Sequence, residues 1–358
     1  FRLFREAIGP ESYLLACGIN DERSLVPFVD ADRIGTDTNG YNAFSKSSAS
    51  DGQPADIQGF WYPVISMVNK SYENGVLFNA DPDVTYTGHR GKGTGAQLRT
   101  FHSFVGLLGG TAMISDHLYD KKFDNADNLR MMEILSPIGK EKGHPFAGGW
   151  DVYGREYGYE VHRSYGNAVN MIIWNPEHNK NANLSIRHVP AGSIGNKFHA
   201  WSFWDEKYLG IIDRDYMAKG IPEYESELLR LTPVSSNPVL IGSNLHISMG
   251  AVEVKSMVID NKQVKIELDP NAGARNGRLY FYSRKPLGNA LSTNSETLLV
   301  KKQDNIYVLV LKDRSRDKRE VITMDIAIGK SFTLSQVAND PSLRKEYGQS
   351  SFSSTSAD

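Results

Sequence analysis

Residues 29–44, VDADRIGTDTNGYNAF, place charged groups where a run of apolar residues ends. Asp32, Arg33 and Asp37 lie close together in this stretch. Carboxylates can exchange protons with a reacting group, and an arginine presents a rigid fork of donors to a carboxylate or a polar ligand. The stretch is also rich in Asp, Thr, Asn and Gly, which are ordinary turn formers. The stretch therefore fits either a polar site or a surface turn, and the elements around it are needed to distinguish the two.

The composition indicates a globular chain whose partners are small and neutral or polar. Of the 358 residues, 40% are hydrophobic and 23% are charged, with a formal net charge of -2. This argues against both a disordered chain and a nucleic-acid partner. Cys17 is the only cysteine, which excludes internal disulfides and Cys-rich zinc sites. No apolar stretch reaches the roughly 18 residues of a membrane-spanning helix, so no membrane partner is expected.

As far as about residue 137, short apolar runs alternate with amphipathic stretches, which is typical of repeated β-α units around a parallel sheet. Strands are predicted in SYLLACG, LVPFVDADRIG, GVLFNADPDV and GGTAMISDHL, and helices in DIQGFWYPVISMVNKSYE, AQLRTFHSFVGLL and NADNLRMMEIL. Polar residues follow each strand, as expected for one half of a (β/α)8 TIM barrel, whose chemistry lies on that rim. An open doubly wound sheet is the alternative, but no glycine-rich phosphate loop follows any strand.

After a linker rich in Gly, Lys and Pro, the sequence pattern changes. The later stretches are short, alternating and aromatic-rich, with regular turns, as in KFHAWSFWDEKYLGIID and NIYVLVLKD, and this pattern predicts an antiparallel β-sandwich. The predicted fold class is therefore α/β plus all-β. We divide the chain into the C-terminal half of the barrel (1–140), a C-terminal β-sandwich (148–330) and a polar, Ser-rich tail (331–358), most of it expected to be loosely ordered.

Five motifs resemble the retaining α-galactosidases of glycoside hydrolase family 36, the melibiase group. YLLACG and VDADRIGTDT are similar to a strand ending in Cys-Gly and a following strand ending in Arg-Ile-Gly-x-Asp. LFNADPDV, LLGGTAMISD and YESELLRLTP with PVLIGSNLHISMG continue the family's order. One departure is Ala80, where the family usually has Asn. The resemblance covers roughly residues 1–330 and implies a barrel from its fifth strand onward, followed by a β domain.

The resemblance implies that Asp37 is the acid/base carboxylate. A retaining mechanism needs two carboxyl groups roughly 5 to 5.5 Å apart, one attacking C1 and the other protonating the leaving oxygen. Arg33 would point into the same pocket and bind the sugar's 2-hydroxyl or orient a carboxylate. Asp32 alternates to the other side of the strand and is expected to be structural.

The nucleophile is expected upstream of Phe1. In the family it ends the fourth barrel strand, and the chain opens without methionine inside a helical pattern, as a fragment would. Asp81, Asp83 and Asp116 are the other carboxylates at strand ends, and we expect them to support the site or the strand ends. The missing N-terminal half of the barrel, from the same polypeptide or a separate chain, is therefore an expected partner.

Three further residues are candidates for substrate binding. Cys17 and Gly18 would shape the wall that faces the sugar's C2 substituent, although a lone cysteine is usually inert and buried. Trp61 could stack on a sugar face, although an aromatic that opens an amphipathic helix is more often core. The histidines show no metal-ligand spacing, and His102 and His117 read as ordinary helix-face and loop residues. No metal and no cofactor are expected.

The implied function is a retaining glycoside hydrolase that removes terminal α-linked galactose from oligosaccharides by double displacement. Three alternatives stay open: a raffinose-synthase-like enzyme that transfers the galactosyl unit to a sugar, an α-N-acetylgalactosaminidase, and a fragment that only binds sugar or another chain. An α-galactoside oligosaccharide is the expected substrate. Formation of a homo-oligomer stays open. A secreted or periplasmic location is preferred to a cytoplasmic one.

Overall fold

The computed structural model describes residues 1–17, 24–38, 60–87, 95–116, 126–177, 180–189, 196–213, 216–235, 238–329 and 331–343. Within these ranges the chain is mostly β-sheet with few helices. It forms two compact units, one of Phe1–His162 with Asn167–Pro233 and the other of Arg163–Gly166 with Val234–Asp358. None of the described helices is long and apolar enough to cross a membrane.

The first unit opens with short strands and helices that alternate along the chain. The helices are α1 (Arg2–Ile8), α2 (Trp61–Asn69), α3 (Gly95–Leu108) and α4 (Ala126–Glu133), and the strands are β1 (Leu15–Ala16), β2 (Ala31–Arg33), β3 (Asn79–Asp81), β4 (Val84–Thr85) and β5 (Met113–Ile114). Strands β1, β2 and β3 pair in parallel in that order, and β4 pairs in parallel with β5. The predicted strand segments are thus present and parallel, while the half-barrel stays a prediction.

The predicted strand GVLFNADPDV is interrupted between β3 and β4. Pro82 has no N–H to donate to a neighbouring strand, and Asp83 adopts the left-handed region with φ 75°. Just before β5, the amide of Thr111 donates to the Ala80 carbonyl of β3 over 2.8 Å. A Cβ on Gly110 would lie 2.2 Å from that same oxygen. Only glycine lets the chain enter β5 so close to β3.

Helix α3 is buried on nearly every side, whereas its sequence predicts one apolar face of Leu98, Phe101, Val105 and Leu108. Its polar residues are buried because each finds a partner on a neighbouring element. The Trp204 indole donates to the Ser103 hydroxyl over 2.9 Å, and the Thr100 hydroxyl lies 2.9 Å from that of Ser226. Periodicity alone misses this burial, because hydrogen bonds let Thr and Ser occupy buried positions.

His102 is one of these buried residues and ties α3 to the elements beside it. We read its Nε2 as the donor to the Met131 carbonyl, 3.1 Å away, and its Nδ1 as the acceptor from the Thr85 hydroxyl, 2.9 Å away. Burial lowers the pKa of the ring from 6.5 to about 4. His102 is therefore a neutral structural residue and not an ordinary helix-face residue.

Stability is expected to fall on acidification because of His102. The unfolded chain binds a proton below pH 6.5, whereas the folded chain binds it only near pH 4. The contribution of His102 to the free energy of unfolding is therefore complete above the pKa of the unfolded chain. It is lost as the pH falls toward the pKa of the folded chain, and the total loss is about 3 kcal/mol. Denaturant unfolding as a function of pH should show a slope that His102→Gln reduces. An unchanged slope in His102→Gln would refute the assignment.

The rest of the first unit is antiparallel sheet that packs on α3. Its strands are β6 (His144–Pro145), β7 (Glu156–Arg163), β8 (Gly166–Trp174), β9 (Ala182–Ser185), β10 (Phe198–Ser202), β11 (Lys207–Ile212), β12 (Met217–Ile221) and β13 (Ser226–Pro233). Six of them form a sheet in the order β11-β10-β13-β8-β7-β6, and β12 pairs with β9. Phe104 of α3 packs against the Tyr157 and Trp174 rings, with centroids 5.1 and 5.4 Å away. The helix therefore covers one face of this sheet.

The described residues of the second unit form a β-sandwich. Its strands are β14 (Val239–Ser243), β15 (Val254–Ile259), β16 (Gln263–Leu268), β17 (Gly277–Tyr282), β18 (Leu287–Ser292), β19 (Glu296–Gln303), β20 (Ile306–Lys312), β21 (Glu320–Ile326) and β22 (Phe332–Thr333). A five-stranded sheet has the order β14-β17-β20-β19-β22 and a four-stranded sheet the order β15-β16-β21-β18. Buried residues of both sheets share one hydrophobic cluster.

This division differs from the one drawn on the sequence in two places. The strands between residues 148 and 330 are shared between the two units, with a boundary at Pro233–Val234. Residues assigned to the tail form β22, which pairs in parallel with β19, and helix α5 (Leu334–Asn339), whose capping box is made by Thr333 and Gln336. Alternating aromatic-rich strands look the same in either sheet, so the pattern does not show where one unit ends.

Candidate active site

The parallel pairing of β1, β2 and β3 brings the predicted polar residues to one edge of a sheet. The register aligns Ala16 with Asp32, and Arg33 with Asp81. Because parallel strands run in the same direction, Cys17 after β1, Arg33 at the end of β2 and Asp81 at the end of β3 lie at the same end. Residues 31–33 thus form the middle strand of this sheet, and Asp37 and Thr38 follow its end.

Arg33 binds three carboxylates at this edge, and we call these four side chains the Arg33 cluster. Its Nε donates to Asp81 Oδ2 over 2.7 Å, its Nη2 lies 2.9 Å from Asp83 Oδ1, and its Nη1 donates to Asp37 Oδ1 over 3.1 Å. Burial lowers the pKa of Arg33, but the hydrogen bond and the charges of Asp81 and Asp83 outweigh burial and raise it overall. The guanidinium is therefore a fixed cation that orients the three carboxylates.

The three carboxylates differ sharply in exposure. The side chain of Asp37 is 84% exposed, that of Asp83 is 9% exposed and that of Asp81 is 0% exposed. Of the three, only Asp37 can reach a molecule arriving from solvent. A flexible Asp side chain on a loop would normally sample many positions, and the ion pair with Arg33 restricts it.

Thr38 and Asp83 complete the support behind Asp37. The Thr38 amide donates to Asp83 Oδ2 over 2.5 Å and its hydroxyl over 3.0 Å, while Asp81 Oδ1 accepts the Asp83 amide over 2.9 Å. The loop after β2 is therefore tied to the loop after β3 on the residue that follows Asp37. Sequence reasoning missed Thr38. Its only signal is that Thr often bonds a nearby carboxylate at a turn.

Cys17 lies beside the Arg33 cluster. Its thiol is free and exposed, and Cys17 is among the residues whose electrostatic interaction with Arg33 raises the pKa of the guanidinium. Sequence reasoning expected a thiol near the sugar or a buried packing residue, and the observed exposure excludes burial. Gly18, the other residue predicted for this wall, lies outside the described residues.

Trp61 is engaged elsewhere in the first unit. It is the first residue of α2, and its indole N–H donates to the Pro176 carbonyl over 3.3 Å. Its ring lies edge-on to Tyr62, with centroids 5.0 Å apart, and 6.4 Å from the Tyr153 ring. Among the described residues, none of these contacts involves the Arg33 cluster. Sugar stacking by Trp61 stays a prediction.

Two further acidic residues lie at or near strand ends. Asp32 is fully buried on β2, next to Arg33 in sequence, and Asp116 accepts the Thr87 amide over 2.5 Å, joining the segments that follow β4 and β5. Within the described residues, no group of three or more His, Cys, Asp or Glu side chains is arranged to hold a metal ion. His117 lies outside the described residues.

No family model and no curated protein matches the chain. Among solved structures, the isomaltodextranase of Arthrobacter globiformis T6, complexed with panose, is similar over 90% of this chain and 61% of its own, with TM-score 0.47 and 12% identity. α-Galactosidase I from Mortierella vinacea is similar over 60% of this chain and 57% of its own, with TM-score 0.40 and 12% identity. An α-galactosidase from Saccharomyces cerevisiae is similar over 58% of this chain and 60% of its own, with TM-score 0.41 and 11% identity. All three are glycosidases, and this chain spans less than two thirds of each.

Proposed function

We propose that the full-length gene product containing this chain is a retaining glycoside hydrolase that removes terminal α-linked galactose from oligosaccharides. The observation that supports it is the Arg33 cluster, in which one guanidinium holds three carboxylates and only Asp37 is exposed. A carboxylate that is both exposed and held in position can meet a bound substrate in one geometry, which is the condition for efficient proton transfer. The resemblance of the strand motifs to α-galactosidases supplies the substrate class.

In this proposal Asp37 is the acid/base and Arg33 is its positioning residue. Asp37 protonates the leaving oxygen and later takes a proton from water, and a second carboxylate, roughly 5 to 5.5 Å away, attacks C1. Asp81 and Asp83 are buried and bound by Arg33, so neither is offered as the nucleophile. We propose that the nucleophile comes from upstream of Phe1, in the same polypeptide or in a second chain.

The test is to follow the full-length gene product on an aryl α-galactoside by NMR. A retaining enzyme releases galactose first as the α-anomer, because two displacements at C1 restore the configuration. Added acceptor sugar would report whether the galactosyl unit is passed to water or to a hydroxyl. Release of the β-anomer first, or no turnover on any α-galactoside, would overturn the proposal. Binding without turnover would favour the sugar-binding alternative.

Cys17, at the same sheet edge as Arg33, predicts which substituent the enzyme accepts at C2 of the sugar. The exposed Cys17 thiol is larger than an Ala or Ser side chain and lies at the same sheet edge, so it is expected to leave little room for an acetamido group. A steric clash excludes a substrate more completely than the loss of one hydrogen bond, which costs about 1 to 3 kcal/mol. We therefore expect kcat/KM for an aryl α-galactoside to exceed that for the paired α-N-acetylgalactosaminide by a large factor.

A variant of the same residue tests the cause of that preference. Cys17→Gly is expected to lower the ratio of the two kcat/KM values, because it removes the side chain that faces C2. Asp30→Ala is a suitable control, since Asp30 lies before β2 and binds Arg5 over 2.6 Å. It should keep the wild-type ratio. Equal values for the two substrates in the wild type would mean that the C2 wall is formed elsewhere.

A further inference from the structure

A polar cavity of about 200 Å³ lies within the first unit. It is formed by α3, the turn after β10, strand β12 and the start of β13. Six side chains give it its character: Arg99, Trp204, Asp205, Lys219, Glu225 and Glu227. Its volume is below the roughly 300 to 1,000 Å³ of pockets for larger organic ligands, so it suits a molecule about the size of one sugar ring.

Hydrogen bonds among protein groups hold the acidic side of this cavity. Glu227 Oε2 accepts the Tyr216 hydroxyl over 3.2 Å, and Asp205 Oδ2 accepts the Ser202 hydroxyl over 3.2 Å. Burial, with the nearby charge of Asp205, raises the pKa of Glu227 despite the hydrogen bond from Tyr216. The two carboxyl groups are therefore neighbours, and each is anchored through one oxygen.

The basic side is less engaged. The Arg99 guanidinium lies over the Trp204 ring, 5.9 Å from its centroid. Neither Arg99 nor Lys219 makes an ion pair with another residue in the part of the chain that the structure describes, although three carboxylates line the same cavity. The N–H donors of both residues are thus available to a molecule inside the cavity.

We propose that this cavity binds a neutral, polyhydroxylated ring, that is, a single sugar unit. Its charged groups are of both signs, so an ion of either sign meets a like charge on some part of the wall. A hydroxyl group donates to a carboxylate and accepts from an ammonium or guanidinium, so it is satisfied on either side. The inference uses the cavity lining alone and does not depend on glycosidase activity.

The direct test is a binding measurement in the Asp37→Ala background, so that turnover of the α-galactoside does not interfere. Saturation-transfer NMR and titration would be run on the full-length gene product with methyl α-D-galactopyranoside, methyl α-D-glucopyranoside, L-glutamine and inorganic phosphate. At least one glycoside is expected to bind in the millimolar range, and inorganic phosphate is not, because the anion meets like charges on the acidic side of the cavity. Binding of glutamine or phosphate in preference to both glycosides, or of no probe, would overturn the proposal.

Variants then locate the bound sugar. Asp205→Ala and Lys219→Ala should each weaken binding about tenfold, the loss expected for one charge-assisted hydrogen bond, and Ala96→Phe should abolish it by filling the cavity. Asp304→Ala removes a carboxylate that is 100% exposed in the second unit and should change nothing. Arg33→Ala should also leave this binding intact. If Arg33→Ala removes it while the cavity variants do not, the sugar is bound at the Arg33 cluster and the proposal fails.

Discussion

Replacing Asp37 by alanine is expected to abolish most of the activity of the full-length gene product on an α-galactoside with a poor leaving group. A positioned general acid accelerates such a step by about 10² to 10⁴, so kcat/KM should fall by a factor in that range. An activated aryl α-galactoside should lose far less in the first step, because its leaving oxygen needs little protonation. The measurement is kcat/KM for both substrates in the wild type and in Asp37→Ala.

Added azide separates loss of the acid/base from general damage. Azide is an anionic nucleophile that needs no general base, so it should partly restore the second step in Asp37→Ala and yield the galactosyl azide. Asp30→Ala removes another Arg-bound carboxylate from the same segment of chain and should keep wild-type kinetics on both substrates. If both substrates lose the same factor in Asp37→Ala and azide has no effect, Asp37 is not the acid/base.

Sequence reasoning reached the Arg33 cluster because its members end neighbouring strands. Predicting parallel strands is enough to bring Arg33, Asp81 and Cys17 to one edge, because the carboxyl ends of parallel strands lie at the same end of a sheet. What spacing does not reveal is how the guanidinium shares its donors. Sequence reasoning offered Arg33 either a sugar hydroxyl or a carboxylate to orient, and its resolved contacts are with carboxylates.

Other features lay beyond the sequence because tertiary partners decide them. Trp61 begins an amphipathic helix whether it stacks on a sugar or packs in the core. Only the fold shows that its indole N–H donates to the Pro176 carbonyl. His102 reads as a polar residue on a helix face until β4 and α4 supply a partner for each ring nitrogen. The unit boundary near residue 233 lies between strands that have the same sequence pattern. Its position therefore depends on which strands share a core, and the pattern does not show that.

The second unit contains an ion pair whose environment predicts the largest stability effect. The Arg314 side chain is 3% exposed and that of Glu320 is 0% exposed, and Arg314 Nε donates to Glu320 Oε2 over 2.8 Å. Glu320 Oε1 also accepts the hydroxyls of Ser292 and Ser295. Nη1 of Arg314 donates to the carbonyls of Ala272 and Ala274, and Nη2 donates to that of Asp269. Both charges are therefore buried and have several partners.

Glu320→Gln is expected to lower the free energy of unfolding by about 3 to 5 kcal/mol, because it leaves the Arg314 charge buried without its counter-ion. Glu267→Gln is the matched control. Glu267 binds Arg319 over 2.7 Å, but the Arg319 side chain is 70% exposed, and a surface ion pair contributes about 0 to 1 kcal/mol. Denaturant unfolding of the two variants should differ by more than 2 kcal/mol if burial sets the cost. Equal losses would mean that distance alone, and not desolvation, determines what these pairs contribute, since both are close contacts between the same two chemical groups.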